Sequence, residues 1–130
     1  MSELYREQIL DHYRDPRNQG TLDPNDASHE ETNPLCGDRI RIDLRIADDH
    51  ISEIRFSGRG CAISQAAASM LTEMVEGATI DDIRNLTPED LLDELGIPLS
   101  PARVKCALLS LKVLKSGAYG YEGWPEISNA

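Results

Sequence analysis

The chain has 130 residues, 40% of them apolar and 28% charged, the composition of one globular domain able to bury its own core rather than of a disordered segment. Its 23 acidic against 13 basic residues give a formal net charge of −10. That excludes nucleic acid as a partner unless cations are segregated, and the basic residues form no block along the chain.

Three cysteines are odd in number and too few for a disulfide scaffold, so free or metal-bound thiols are expected. No apolar run approaches the ~18 residues of a membrane span. The start, Met1 to Glu7, is mixed-charge and lacks the apolar core of a signal peptide. The sequence therefore reads as cytoplasmic, with no membrane contact and with protein partners.

Residues 2–14 carry Leu4, Tyr5, Ile9, Leu10 and Tyr13 at helical spacing, and Asp15-Pro16 ends the segment. His12 in this helix is expected to be a satisfied surface or core histidine rather than a ligand. Residues 16–32 are rich in Pro, Asn, Asp and Gly and predict a loop, with a short edge strand over about 28–33. Arg39 to Ile46 alternates basic or acidic with apolar residues, which predicts a strand with one wet and one buried face. Asp48-Asp49-His50 turns the chain, and Ile51–Ser57 returns as a second strand with Ile54 and Phe56 inward. Arg39 and the arginines of the outer face are expected to be merely solvated.

Four helices follow. The run Ser64–Glu76 has high helix propensity and stops at Gly77. Thr79 caps a short acidic helix, and Thr87-Pro88-Glu89-Asp90 opens another that ends at Gly96. Ser100-Pro101 opens the last, over about 101–117. The order of elements predicts an α+β fold with segregated layers, a small antiparallel sheet against a layer of helices. One domain over 1–118 is expected, with 119–130 as a C-terminal tail.

Each cysteine falls at a boundary between elements. Cys36 is in the loop before the first long strand, and Cys61 follows the glycine-rich link Ser57-Gly58-Arg59-Gly60. Cys106 lies within two turns of a helix start. Cys61 and Cys106 are thus expected near the positive ends of helices, which favour thiolate. Spacings of 25 and 45 residues match no local zinc-finger pattern, so a shared site would have to be assembled by the fold. Three independent buried cysteines are the alternative on spacing alone. Asp38, two residues from Cys36, adds a hard oxygen, although an Asp beside Gly37 also suits an ordinary turn.

Asn33-Pro34-Leu35-Cys36-Gly37-Asp38, Phe56-Ser57-Gly58-Arg59-Gly60-Cys61-Ala62-Ile63-Ser64 and Pro101-Ala102-Arg103-Val104-Lys105-Cys106 resemble three cysteine motifs of one family. It is the IscU/SufU/NifU N-terminal-domain family of iron–sulfur cluster assembly proteins, and the similarity spans about residues 2–118. The resemblance implies a three-stranded sheet under helices, a SufE/NifU-like sandwich. It also implies a site of Cys36, Asp38, Cys61 and Cys106 holding zinc, iron or a [2Fe–2S] cluster. Implied partners are a cysteine desulfurase and iron–sulfur acceptor proteins, and a homo-oligomer is allowed.

Lys105 before the third cysteine matches SufU-like members, where IscU-like scaffolds have His. Leu99-Ser100-Pro101-Ala102-Arg103 stands where those scaffolds have the Hsp70-type chaperone-binding stretch Leu-Pro-Pro-Val-Lys. The interval from Cys61 to Cys106, however, is short and lacks the SufU insertion.

The primary expectation is a [2Fe–2S] assembly scaffold that receives sulfur, with Cys36 as sulfur acceptor. The alternative is a zinc-dependent sulfurtransferase that holds no cluster. A zinc deaminase is disfavoured because His-x-Glu with Pro-Cys-x-x-Cys is absent. A purely structural zinc is disfavoured because ligands at loop ends are not needed to fold a domain of this size.

Overall fold

The computed structural model describes residues 3–33, 37–96 and 98–122. Its order is α1 (Glu3–Arg14), β1 (Ala27–Asn33), β2 (Asp38–Ala47), β3 (His50–Arg59), α2 (Ala62–Val75), α3 (Ile80–Asn85), α4 (Pro88–Leu95) and α5 (Pro101–Glu122). The strands form one antiparallel sheet in the order β1-β2-β3. Helix α5 lies over β1 and β2, α2 over β3, and α1 packs on α2.

The alternation in β2 builds the core. Ile40, Ile42 and Leu44 point to the helices with Ile54 and Phe56 of β3, each at most 2% exposed. Burying each such side chain stabilises the fold by roughly 1.5–3 kcal/mol relative to exposure. The hairpin turn works through Asp48 and Asp49, both at positive φ (52° and 62°), as a tight two-residue hairpin requires. Past it, Arg45 and Ile46 pair with Glu53 and Ile51, a register shift that leaves Ser52 over. The predicted caps form as complete capping boxes, Thr79 with Asp82 and Thr87 with Asp90.

His12 is the satisfied core histidine expected, and three local expectations shift. On α1 it is His12 that is buried, its Nδ1 2.7 Å from Ser69 Oγ, while Tyr13 is 45% exposed. Helix α2 begins at Ala62, not Ser64, so Cys61 is its N-cap. Helix α5 continues to Glu122 through Gly117, whose missing side chain faces His29 of β1 in ordinary packing. The rest of the expected tail, 123–130, lies outside the described residues.

The wet face of β2 hides one acid, Asp43, 1% exposed. It accepts the Leu22 N–H (2.9 Å), the Ser28 hydroxyl (2.7 Å) and Arg41 Nε (2.8 Å), which ties the 16–26 loop to the sheet. Burial would raise its pKa, but these three donors outweigh it and hold the carboxyl below the ordinary 3.8.

Candidate metal centre

Asp38 opens β2, and the two-residue period of a strand places it on the same face as Ile40 and Ile42, under the helices. It is 2% exposed. Gly37 reaches it by a turn at φ 74°, with its N–H on the Asn33 carbonyl at 2.7 Å.

The end of β3 is shaped to leave that carboxylate room. A β-carbon on Gly60 would lie 2.5 Å from Asp38 Oδ1 and closer still to Ser64 Oγ, and one on Gly58 would run into the Arg39 carbonyl. Gly60 is therefore the position that leaves the carboxylate room, while Gly58 allows the close approach of the β2 backbone.

Cys61 is the extended N-cap of α2 (φ −72°, ψ 169°), and its side chain makes no capping bond. Its N–H donates to Asp38 Oδ1 at 3.0 Å, and its Sγ lies 3.7 Å from Asp38 Oδ2. Cys106 reaches the same place from α5 and is 4% exposed. One donor atom each from Asp38, Cys61 and Cys106 all lie within 4.8 Å of one another. Zinc binds thiolate sulfur at ~2.3 Å and carboxylate oxygen at ~2.0–2.2 Å in tetrahedral geometry, so its ligands stand ~3.3–3.8 Å apart. The donor set and spacing fit a single metal ion. Cys36, the remaining predicted ligand, lies outside the described residues.

The three donors open on a cleft of about 620 Å³ whose wall includes Arg59, Arg103 and Asn33. Cys61 faces the positive end of α2. Cys106 does not share that advantage, because it is the sixth residue of α5 and the effect of a helix end fades within its first turn. One turn behind each thiol, Gln65 Nε2 and Ser110 Oγ are buried without a hydrogen-bond partner among the described residues.

From sequence alone, Gly58 and Gly60 read only as part of a glycine-rich link, and nothing marks Arg59 and Arg103 as wall residues.

Helices on one face of a three-stranded antiparallel sheet, with two thiols and a carboxylate converging where β2 starts and β3 ends, make this a SufE/NifU-like α+β sandwich with a metal-binding type of site. The chain belongs to the NifU-like N terminal domain family, which it matches over residues 4–127. It is 38% identical to the zinc-dependent sulfurtransferase SufU of Bacillus subtilis, over 92% of each chain. It is 40% identical to the iron–sulfur cluster assembly scaffold protein IscU of Aquifex aeolicus, over 88% of this chain and 73% of that one. The crystal structure of FiSufU from Fervidobacterium islandicum superposes with a TM-score of 0.77 at 25% identity, covering 91% of this chain and 99% of that one. Among the described residues no helix is long and apolar enough to cross a membrane.

Proposed function

We propose that this protein is a zinc-dependent sulfur acceptor and carrier that works beside a cysteine desulfurase. The observation that carries the reading is the Asp38, Cys61 and Cys106 donor set, spaced for one metal ion at the floor of an open cleft. Support also comes from Lys105, the SufU-like residue before the third cysteine, and from a relative named for this activity that matches over nearly its whole length.

Bound zinc would hold its cysteine ligands as thiolates at neutral pH. Asp38 orients Cys61 through the backbone N–H, while Cys106 is held by a packed helix. Cys36 is assigned as the acceptor because its thiol is two residues from Asp38 in the chain and beside exposed Gly37. Its thiolate attacks the terminal sulfur of the desulfurase persulfide. A new S–S bond forms on Cys36, the old one breaks, and the desulfurase cysteine leaves as thiolate with no net oxidation.

A [2Fe–2S] scaffold is the second reading, favoured by the 40% identity to IscU of Aquifex aeolicus; there iron and sulfide are cargo built on the same residues. Metal and acid-labile sulfide analysis of protein purified without oxygen, with persulfide mapping by mass spectrometry, tests both. Stoichiometric zinc without sulfide and a persulfide on Cys36 are expected. Iron and sulfide in matching amounts would replace the first reading with the second.

A further inference from the structure

The sheet face turned away from the helices collects charge that the linear sequence disperses. Strand register puts Thr32, Arg39 and Arg59 in one row and Glu30, Arg41 and Ser57 in the next. Ser28, Asp43 and Arg55 follow, and then Arg45 opposite Glu53. Five of the thirteen basic residues lie in these rows against three carboxylates, so the face is net positive on a chain of net charge −10.

Most of these guanidinium groups are paired, Arg41 with Asp43 (2.8 Å), Arg45 and Arg55 with Glu53 (2.7 and 3.5 Å) and Arg39 with Glu30 (3.4 Å). A solvated, self-neutralised face would be explained by that alone. Arg59 does not fit the explanation. It is exposed, has no ion pair among the described residues, and stands directly across the strand pair from Arg39. Like charges in that position repel and cost stability. Glu30, Arg39, Arg41, Ser57, Gly58 and Arg59 wall a second cavity, of about 320 Å³, and Arg59 belongs to the wall of the thiol cleft as well.

We propose that this cavity is a docking surface for an acidic segment of a partner protein, whose carboxylates are received by Arg59 and Arg39 beside the Ser57 hydroxyl. Arginine forks suit carboxylates, and the wall's own carboxylate, Glu30, is engaged by Arg39 at 3.4 Å, so Arg59 is the primary receiver. A nucleic-acid strand fits less well. The rows contain no aromatic residue on which bases could stack, and Glu30 and Glu53 interrupt the arginines that a continuous phosphate chain would have to follow, whereas a short acidic segment needs only the Arg59 end. A segment docked here lies at the rim of the thiol cleft, so the surface would seat a partner that exchanges material with it. The inference goes beyond the sulfur-carrier reading and does not depend on which metal is held.

Fluorescence anisotropy of the full chain with a short labelled peptide of alternating Glu and Ala provides the test. A Lys-for-Glu peptide and an oligothymidine serve as controls. The acidic peptide alone should bind, weaken at raised salt, and weaken roughly tenfold or more with Arg59→Glu. Thermal melting of the same variant should show no loss, since the introduced carboxylate would face Arg39 across the strands. Absence of peptide binding at low salt, or unchanged binding to Arg59→Glu, would overturn the proposal. Equal or tighter binding of the oligothymidine, lost in the same variant, would overturn it in favour of nucleic acid.

Discussion

Asp38 holds Cys61 with both carboxylate oxygens: Oδ1 accepts the Cys61 N–H at 3.0 Å and Oδ2 lies 3.7 Å from its Sγ. The same side chain therefore serves the start of α2 and the donor cluster, and the two roles can be separated by substitution. Asp38→Ala removes an acceptor from a partly buried N–H and should destabilise the fold by about 1–2 kcal/mol. Asp38→Asn keeps an acceptor oxygen and should recover most of that stability. Both should bind zinc more weakly, because neither supplies an anionic oxygen ligand. Melting temperature and chelator-competition affinity, measured on both variants, give the result. An Asn variant with parental zinc affinity would remove Asp38 from the ligand set.

Gly60→Ala should damage the site more than the fold. The added methyl falls on the Asp38 carboxylate and the Ser64 hydroxyl, both of them ends of side chains, so the neighbours can move rather than the backbone. The expected stability loss is about 1–3 kcal/mol, as for other overpacked positions. Displacing Asp38 should lower zinc affinity by roughly tenfold or more, since a ligand out of place by even an ångström loses its bond. Parental affinity in this variant would mean that the carboxylate tolerates displacement and is not a ligand.

Much of the layout is legible in the sequence because it is carried by short-range patterns. The alternation from Arg39 to Ile46 predicts β2, and the Thr-x-x-Asp caps predict α3 and α4, since each signal acts within a few residues. The association of Asp38, Cys61 and Cys106 is legible only through resemblance; it depends on tertiary packing of β2, α2 and α5, which spacing does not encode. What stays unread is context across the sheet. Asp43 reads as a wet-face residue until the 16–26 loop is seen to cover it, and the arginines look scattered until strand register lines them up.

His12 gives the fold a dependence on mild acid. Burial, followed by the Arg17 guanidinium, lowers its pKa from the ordinary 6.5, against the weaker upward pull of Glu73, Asp11 and Glu94. A group with a depressed folded pKa contributes its full stability above the unfolded value. It loses that contribution as pH falls through the folded one. Urea midpoints should therefore hold steady above about pH 6.5 and decline below it, well before Asp43 begins to protonate near its own lower range. His12→Gln should flatten the decline between pH 6.5 and 5. An equally steep decline in that variant would assign the effect to another group.

Gln65 lies one helical turn beyond Cys61, is 7% exposed, and buries an Nε2 that has no hydrogen-bond partner among the described residues. An unpaired buried amide costs about 1–3 kcal/mol relative to a partnered one. Methionine has nearly the same length and no group to satisfy, and its flexible thioether fills irregular space. Gln65→Met should therefore stabilise the apo protein by about 1 kcal/mol, a rise of a few degrees in melting temperature for a domain of this size. Ser110→Ala should act in the same direction for its orphaned hydroxyl, by less, because fewer atoms change. The two substitutions lie on different helices, and additivity of their effects would show that they act as separate vacancies in the hydrogen-bond network. A fall in melting temperature for Gln65→Met would instead mean that the amide is satisfied by an internal water, which the thioether cannot replace.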